Sequence, residues 1–528
     1  MRSLYNYLSI ALCLSISSSP AASSPAAVPS TRHEQEPLST PKHLRAIAAT
    51  DQLPIDHFNA SDTRTFANRF WYNDTFYRPG GPILFYDEGE RGIVDGVVPP
   101  AFYPDHPVTL LAEKFGALVV AWEHRFYGLS TPFPDLNVTS PHEEMERAFA
   151  YLDTEQALED VVVFARSFEL PGLEKALRPN ATPWIWIGGS YAGQRAVMIR
   201  KRNPETFWAS WSSSAPIEVA LEFPEYYLEV SRDLPRKCRE VIRRAIERVD
   251  EVLLRGSGMR RLRLRWEIVR RWDEGRSWRE KMQFVGFAPD FVVAEWFMRV
   301  VAVDWQAEGM KGGINATCRR LTLHDDCGAD DPDADITAVL DAIASSENSS
   351  GRSPSSFFNF PMDELAWRYQ ISTEYPYLQT SKPSSPYNIL SSFLDFNSTW
   401  HYHHELSFPC ITSPPNVSAL IPTRYAGWDV GLAKRVMITS GLRDPWHQLS
   451  ALPKDSLVPG APVNRSARAA VPGCHEDLAE NEVFGLVLER GRHCADLVIG
   501  NPEAKQATAL FAQALEVWLP CFVNDTSR

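Results

Sequence analysis

The chain has 528 residues, a mass of 59.6 kDa and 44% hydrophobic residues, enough to bury a large core and to divide into more than one folding unit. Its formal charge of −13 and pI near 5.6 exclude nucleic acid as the main partner, because phosphate binding needs net or clustered positive charge. After the N-terminus no stretch approaches the roughly 20 apolar residues of a membrane span.

Residues 1–22 read as a secretory signal: Arg2, an apolar run from Leu8 to Ile16, then Ala21, Ala22 and Ala26. Residues 23–48, polar and proline-containing, read as a leader or propeptide-like segment. Sequons at Asn59, Asn73, Asn137, Asn180, Asn315, Asn348, Asn397, Asn416, Asn464 and Asn524 point the same way, as candidate glycosylation sites of a secreted or extracellular protein. An acidic vacuole-like or lysosome-like compartment is the alternative. Cys13 falls in the signal, so seven of the eight cysteines remain. An odd number leaves at least one thiol free or bonded to another chain, and no spacing dictates the pairing.

Short strands are predicted at Phe66–Tyr72, Pro82–Tyr86 and Ala117–Glu123, with the polar loop Asp87 to Gly92 after the second. A helix over Thr154–Phe168 follows from apolar residues at Ala157, Leu158, Val161, Val162 and Ala165. Trp184, Ile185, Trp186 and Ile187 read as a buried strand running into Gly188, Gly189, Ser190, Tyr191, Ala192 and Gly193. Phe207–Trp211 is the next strand. Beyond Pro216 the pattern turns helical and arginine-rich. Ile242, Ile246, Val249 and Leu253 mark one amphipathic helix, a second spans Met259 to Trp272, and the interleaved acids make a solvated face rather than a polyanion site. Asp326–Asp335 and Ser345–Ser356 read as loops. Strands return at Lys434–Thr439 and Val483–Glu489, and Glu503–Leu519 closes the chain as a helix.

Alternating strands and helices predict an α/β fold with a mostly parallel, doubly wound sheet. In such sheets functional side chains gather at the carboxyl ends of strands. Three strand ends carry Ser190, Asp444 and His493, in the chain order of an α/β-hydrolase triad, and Ser190 sits in the Gly-rich turn of a nucleophile elbow. His493 would take the serine proton and Asp444 would hold the imidazole. The oxyanion would be met by the N–H of Tyr191 and a second from the Gly89–Gly92 loop, at Glu90. Asp496 is an alternative to Asp444 or a cap for the following turn. The tract His401, Tyr402, His403, His404 lacks carboxylate or cysteine partners at ligand spacing, so no metal and no other cofactor is expected.

Taken together, EHRFYG (Glu123–Gly128), EQAL (Glu155–Leu158), GGSYAG (Gly188–Gly193), DPW (Asp444–Trp446) and RHCADL (Arg492–Leu497) resemble the serine peptidases of the prolyl carboxypeptidase family. That group includes dipeptidyl peptidase II, thymus-specific serine protease and secreted fungal acid prolyl endopeptidases. The resemblance implies an α/β-hydrolase domain in two parts, 49–215 and 423–528, with a helical cap over 216–422. It implies the triad Ser190, Asp444 and His493, cleavage after proline in peptides or proteins, and Tyr191 and Trp446 at the substrate pocket. The chain would act as a monomer or homodimer. Two positions depart from the family pattern. Ser372 stands where relatives commonly have cysteine, and DEGERG (Asp87–Gly92) replaces the usual Asn-Glu-Gly loop. A secreted esterase or lipase, or a silent binding protein of the same fold, are the competing readings, and endo and exo cleavage both remain open.

Overall fold

The computed structural model describes residues 45–173, 176–271, 277–295, 313–323, 333–350 and 360–526, apart from 402–403, 405–406, 421–423, 426 and 429–432. The predicted signal, most of the leader and Cys327 lie outside these residues.

Among the described residues nine strands form the sheet: β1 (Ile47–Pro54), β2 (Thr65–Asn73), β3 (Ile83–Asp87), β4 (Leu118–Trp122), β5 (Trp184–Gly189), β6 (Ala209–Ser213), β7 (Val436–Gly441), β8 (Ser466–Arg468) and β9 (Glu482–Leu488). Their spatial order is β1-β2-β4-β3-β5-β6-β7-β9-β8. The β1–β2 and β2–β4 pairs are antiparallel and the others parallel. The exchanged positions of β3 and β4, followed by β5, β6 and β7 in chain order, give the α/β-hydrolase topology.

Period-two side-chain alternation sends each central strand into two cores at once. From β5, Trp184 and Trp186 join Phe85, Trp122 and Phe164 on one face, while Ile185 and Ile187 join Trp211, Phe511 and Trp518 on the other. The helix Thr154–Ser167 covers the first face through Leu158, Val161 and Val162, and the C-terminal helix Pro502–Thr526 covers the second. Trp186 packs 4.7 Å from Phe85 and 5.1 Å from Phe207 between ring centroids, and pairs of this kind add about 0.5–1.5 kcal/mol beyond area burial. This aromatic layer is the floor from which the loops at the carboxyl ends of the strands rise.

Between β6 and β7 the described residues contribute helices and no strand to the sheet. The helix Arg236–Arg255 buries Ile242, Ile246, Val249 and Leu253 as predicted, and Cys238 bonds to Cys318 from the helix Gly313–Leu323. Two expectations need correcting. β1 starts at Ile47 and pairs along its whole length with β2, so ordered backbone precedes the boundary drawn at 48. Residues 345–350 belong to the helix Ala334–Ser350 rather than to a loop. Packing of Ile336, Val339 and Leu340 starts this helix, and it then propagates at little cost per residue.

Candidate active site

Strand β5 delivers Ser190 into a turn that only small neighbours permit. The serine has φ 58° and ψ −127°, a strained conformation typical of an elbow. Its N–H donates to the Ser213 carbonyl at 2.8 Å. A side chain at Gly193 would place its Cβ 2.7 Å from that same carbonyl oxygen, and one at Gly189 would meet Cys494 Sγ at 2.6 Å. Glycine therefore falls at 193 rather than 192, because position 193 is where the helix Tyr191–Arg202 crosses the end of β6.

Asp444 follows β7 at the start of a short helical turn, Pro445–Leu449. Its Oδ1 accepts the Trp446 N–H at 3.0 Å and its Oδ2 lies 2.9 Å from His493 Nδ1. The carboxylate is fully buried and the imidazole side chain 10% exposed. Burial alone would lower the imidazole pKa, but the facing Asp444 carboxylate and the neighbouring Cys494 reverse this and hold it well above its ordinary value. The loops bearing Ser190 and His493 touch through Gly189 and Cys494. The Ser190 hydroxyl and the imidazole are not hydrogen-bonded to each other; such contacts commonly tighten only when substrate binds. Asp496 does not compete with Asp444. It is buried against the sheet, where it accepts from Ser213 Oγ at 2.5 Å, Trp211 Nε1 at 3.2 Å and the Thr439 hydroxyl.

The loop after β3 sits directly over the elbow: Gly89 has φ 66°, and a Cβ there would lie 3.4 Å from Ala192 Cβ. The N–H groups of Glu88, Gly89, Gly92 and Ile93 are committed to Trp122 O, Asp87, Asp363 and Glu123, so none of those four can meet an oxyanion. Glu90 is buried, which raises its carboxyl pKa despite the influence of Arg91 and His493. Trp446 is half-buried among Phe223, Tyr226 and Tyr377, at ring distances of 5.4, 5.5 and 5.1 Å. Tyr191 differs: its ring is 2% exposed and packs on Trp367 and Tyr375, which makes it framework rather than an open wall.

A polar seam that sequence reasoning missed joins the helices between β6 and β7 to this site. On the cap helix Pro361–Thr373 and at its end, Asp363, Gln370 and Glu374 follow i, i+7, i+11 spacing and share one face. Asp363 accepts the N–H groups of Gly92 and Gly128 at 2.9 and 2.8 Å. Gln370 donates to the Tyr191 hydroxyl at 2.9 Å and accepts from Tyr127 at 2.5 Å, while Glu374 accepts from the Thr154 N–H and hydroxyl, each at 3.0 Å. Burial raises the carboxyls of Asp363 and Glu374 to about 6 and about 8. The spacing was the available signal.

Among the described residues no group of three or more His, Cys, Asp or Glu could hold a metal. Tyr402 and His403 lie outside them. His404 is buried, stacks on Trp400 and contacts the Ser372 hydroxyl through Nδ1 at 2.6 Å, a polar contact where relatives commonly have cysteine. The second disulfide joins Cys474 and Cys521, and Cys410 and Cys494 are free. Asn59, Asn137, Asn180, Asn397, Asn416 and Asn464 are exposed. Asn73 is buried and accepts the Thr75 N–H, which leaves no room for a glycan in the folded chain. The side chains of Asn315, Asn348 and Asn524 lie outside the described residues.

The family "Serine carboxypeptidase S28" matches residues 53–459, a span that contains Ser190 and Asp444 and stops before His493. The chain is 28% identical to the human thymus-specific serine protease, over 90% of this chain and 87% of that one. It is 28% identical to serine protease vicPa of Bipolaris victoriae, over 78% and 80%. A probable extracellular serine carboxypeptidase of Arthroderma benhamiae is 25% identical over 76% of this chain, an alignment spanning 59% of that relative. Among solved structures, a proline iminopeptidase of Mycobacterium smegmatis aligns over 89% of this chain and 98% of its own at 12% identity, with a TM-score of 0.33; the fold assignment rests on the strand order instead. Strand order and family match together identify the chain as a serine-type peptidase of the α/β-hydrolase fold, belonging to the serine carboxypeptidase S28 family.

Proposed function

We propose that this peptidase is secreted and hydrolyses peptide bonds on the carboxyl side of proline, with Ser190 as nucleophile, His493 as general base and Asp444 as its anchor. The single observation that carries the reading is the 2.9 Å Asp444–His493 pair beside a strained serine and next to the half-buried Trp446. Ser190 Oγ attacks the scissile carbonyl while His493 takes its proton. The oxygen, now negative, is met by the Tyr191 N–H and a donor from the Glu90 loop. Collapse of the tetrahedral intermediate expels the amine, which leaves with the proton from His493, and water repeats the sequence on the acyl-serine ester. Asp444 holds Nδ1 protonated throughout, so that Nε2 faces the serine.

Proline suits a position against the half-buried Trp446 because its ring is compact, apolar and lacks an N–H that would need a partner. Six exposed sequons and the two disulfides support an extracellular or lumenal site of action. The test uses matched internally quenched peptides containing Ala-Pro-X or Ala-Ala-X, each with free and blocked ends, alongside Ser190→Ala. Cleavage confined to the proline peptide and abolished by Ser190→Ala is the expected result, and tolerance of blocked ends separates endo from exo action. Hydrolysis of a short-chain ester with neither peptide cut would overturn the proline reading.

A further inference from the structure

Seven non-glycine residues among those described have positive φ, and three of them meet at the end of β6: Ser190 at 58°, Ser214 at 48° and Cys494 at 52°. L-residues adopt this region at a cost, and they hold it only where their surroundings over-determine it. Here the surroundings are a short set of hydrogen bonds. The Ser213 carbonyl accepts the Ser190 N–H at 2.8 Å, and the Ser214 hydroxyl accepts the Cys494 N–H at 2.9 Å. The Ser214 N–H donates in turn to the Thr439 carbonyl of β7 at 2.8 Å. On the other side of Cys494, Asp496 accepts the Ser213 hydroxyl at 2.5 Å and the Trp211 indole N–H at 3.2 Å. Ser213, Ser214 and Asp496 are all at most 2% exposed.

One dipeptide therefore grips both halves of the reacting pair: the nucleophile through the residue-190 N–H, and the general base through Cys494 and Asp496, the first and third residues after it. We propose that Ser213 and Ser214, with Asp496, are positioning residues that set the separation between Ser190 and His493, the Ser214 hydroxyl being the contact that fixes the histidine loop. This rests on the triad reading above. None of the three touches substrate in this account; they act through the geometry they impose. Positioning of reacting groups is steeply distance-dependent, and a shift of about 1 Å can lower a rate about 100-fold.

Ser214→Gly is the informative variant, because glycine accepts φ 48° more readily than serine while removing the hydroxyl together with its one carbon. A role confined to backbone conformation would leave this variant unharmed. The readouts are the rate at which a fluorophosphonate labels Ser190, kcat and KM on the Ala-Pro-X peptide, the pH dependence of labelling, and thermal melting. The expected result is labelling and kcat reduced about 10- to 100-fold, a displaced pH profile, KM within about twofold, and melting unchanged or raised. Labelling of Ser214→Gly at the wild-type rate with an unmoved pH profile overturns the proposal. A wild-type protein that resists labelling overturns the triad reading itself, and this one with it. Should Ser214→Gly fail to fold, Asp496→Asn, which keeps the side-chain shape, carries the same test by the same criteria.

Discussion

In the hydrolase domain, Arg125 and Arg195 are fully buried, and each faces a buried carboxylate, Asp160 at 2.6 Å and Asp87 at 2.8 Å. In the cap, Arg244, Arg248 and Arg265 reach Asp335, Asp333 and Asp290 at comparable distances, but across partly exposed surface. Similar contacts carry different energetic weight in the two settings. Removing one member of a buried pair strands a charge away from water, whereas removing one member of a surface pair only returns the other to solvent. The hydrolase domain is thus held by contacts that cannot be loosened singly. The helices between β6 and β7 share the apolar core through residues such as Ile242, Val249 and Leu340, and add these weaker surface pairs, one disulfide, and the seam of Asp363, Gln370 and Glu374.

The largest effect predicted from this contrast lies at the fully buried Asp444 carboxylate. Asp444→Asn should lower kcat about 10⁴-fold by presenting the wrong imidazole tautomer, with urea denaturation showing a protein that is still folded. The pH dependence comes next. A general base must be neutral, so kcat/KM should fall about tenfold for each pH unit below the raised folded pKa of His493. Stability from the same pair runs oppositely. A pKa raised on folding contributes fully below the unfolded value of 6.5 and is lost as pH rises through the folded value. Parallel pH titrations of rate and of urea midpoint check both signs.

Arg125→Met leaves the buried Asp160 only His57 Nε2, at 2.7 Å, as a side-chain partner, and should cost about 3–5 kcal/mol in equilibrium unfolding. Replacing Cys238 and Cys318 by serine should cost about 2–4 kcal/mol. That loss should be confined to the cap, so proteolysis there accelerates while fluorophosphonate labelling of Ser190 persists. Smallest is Arg248→Ala, at about 1 kcal/mol or less, fading as salt rises. An Arg248→Ala cost equal to that of Arg125→Met would erase the distinction between the two regions.

Much of the hydrolase domain was legible because its strands are buried on both faces. Trp184 to Ile187 alternates large aromatic with branched aliphatic residues, and each set enters a different core. The strand-end placement of Ser190, Asp444 and His493 was legible because each follows an apolar run that ends in a turn. The cap seam was not, since Asp363, Gln370 and Glu374 look like a solvent-facing polar stripe until the hydrolase N–H and hydroxyl groups opposite them are known. Nor was Asp496, whose partners lie 283 and 285 residues away in sequence. Ser345 to Ser350 misled through composition, because a helix begun by apolar packing continues through residues of modest propensity.

The chain leaves β6 for the cap immediately after Ser214, the residue that grips the histidine loop. Any exchange of caps between related hydrolases, by recombination or by design, would have to splice downstream of this point. A junction at the end of the strand would import a foreign hinge into the gauge between nucleophile and base, and such a chimera could fold, bind peptide and still turn over slowly. Cap variation and catalytic competence are thereby separable only at a narrow set of crossover positions, beginning beyond Ala215.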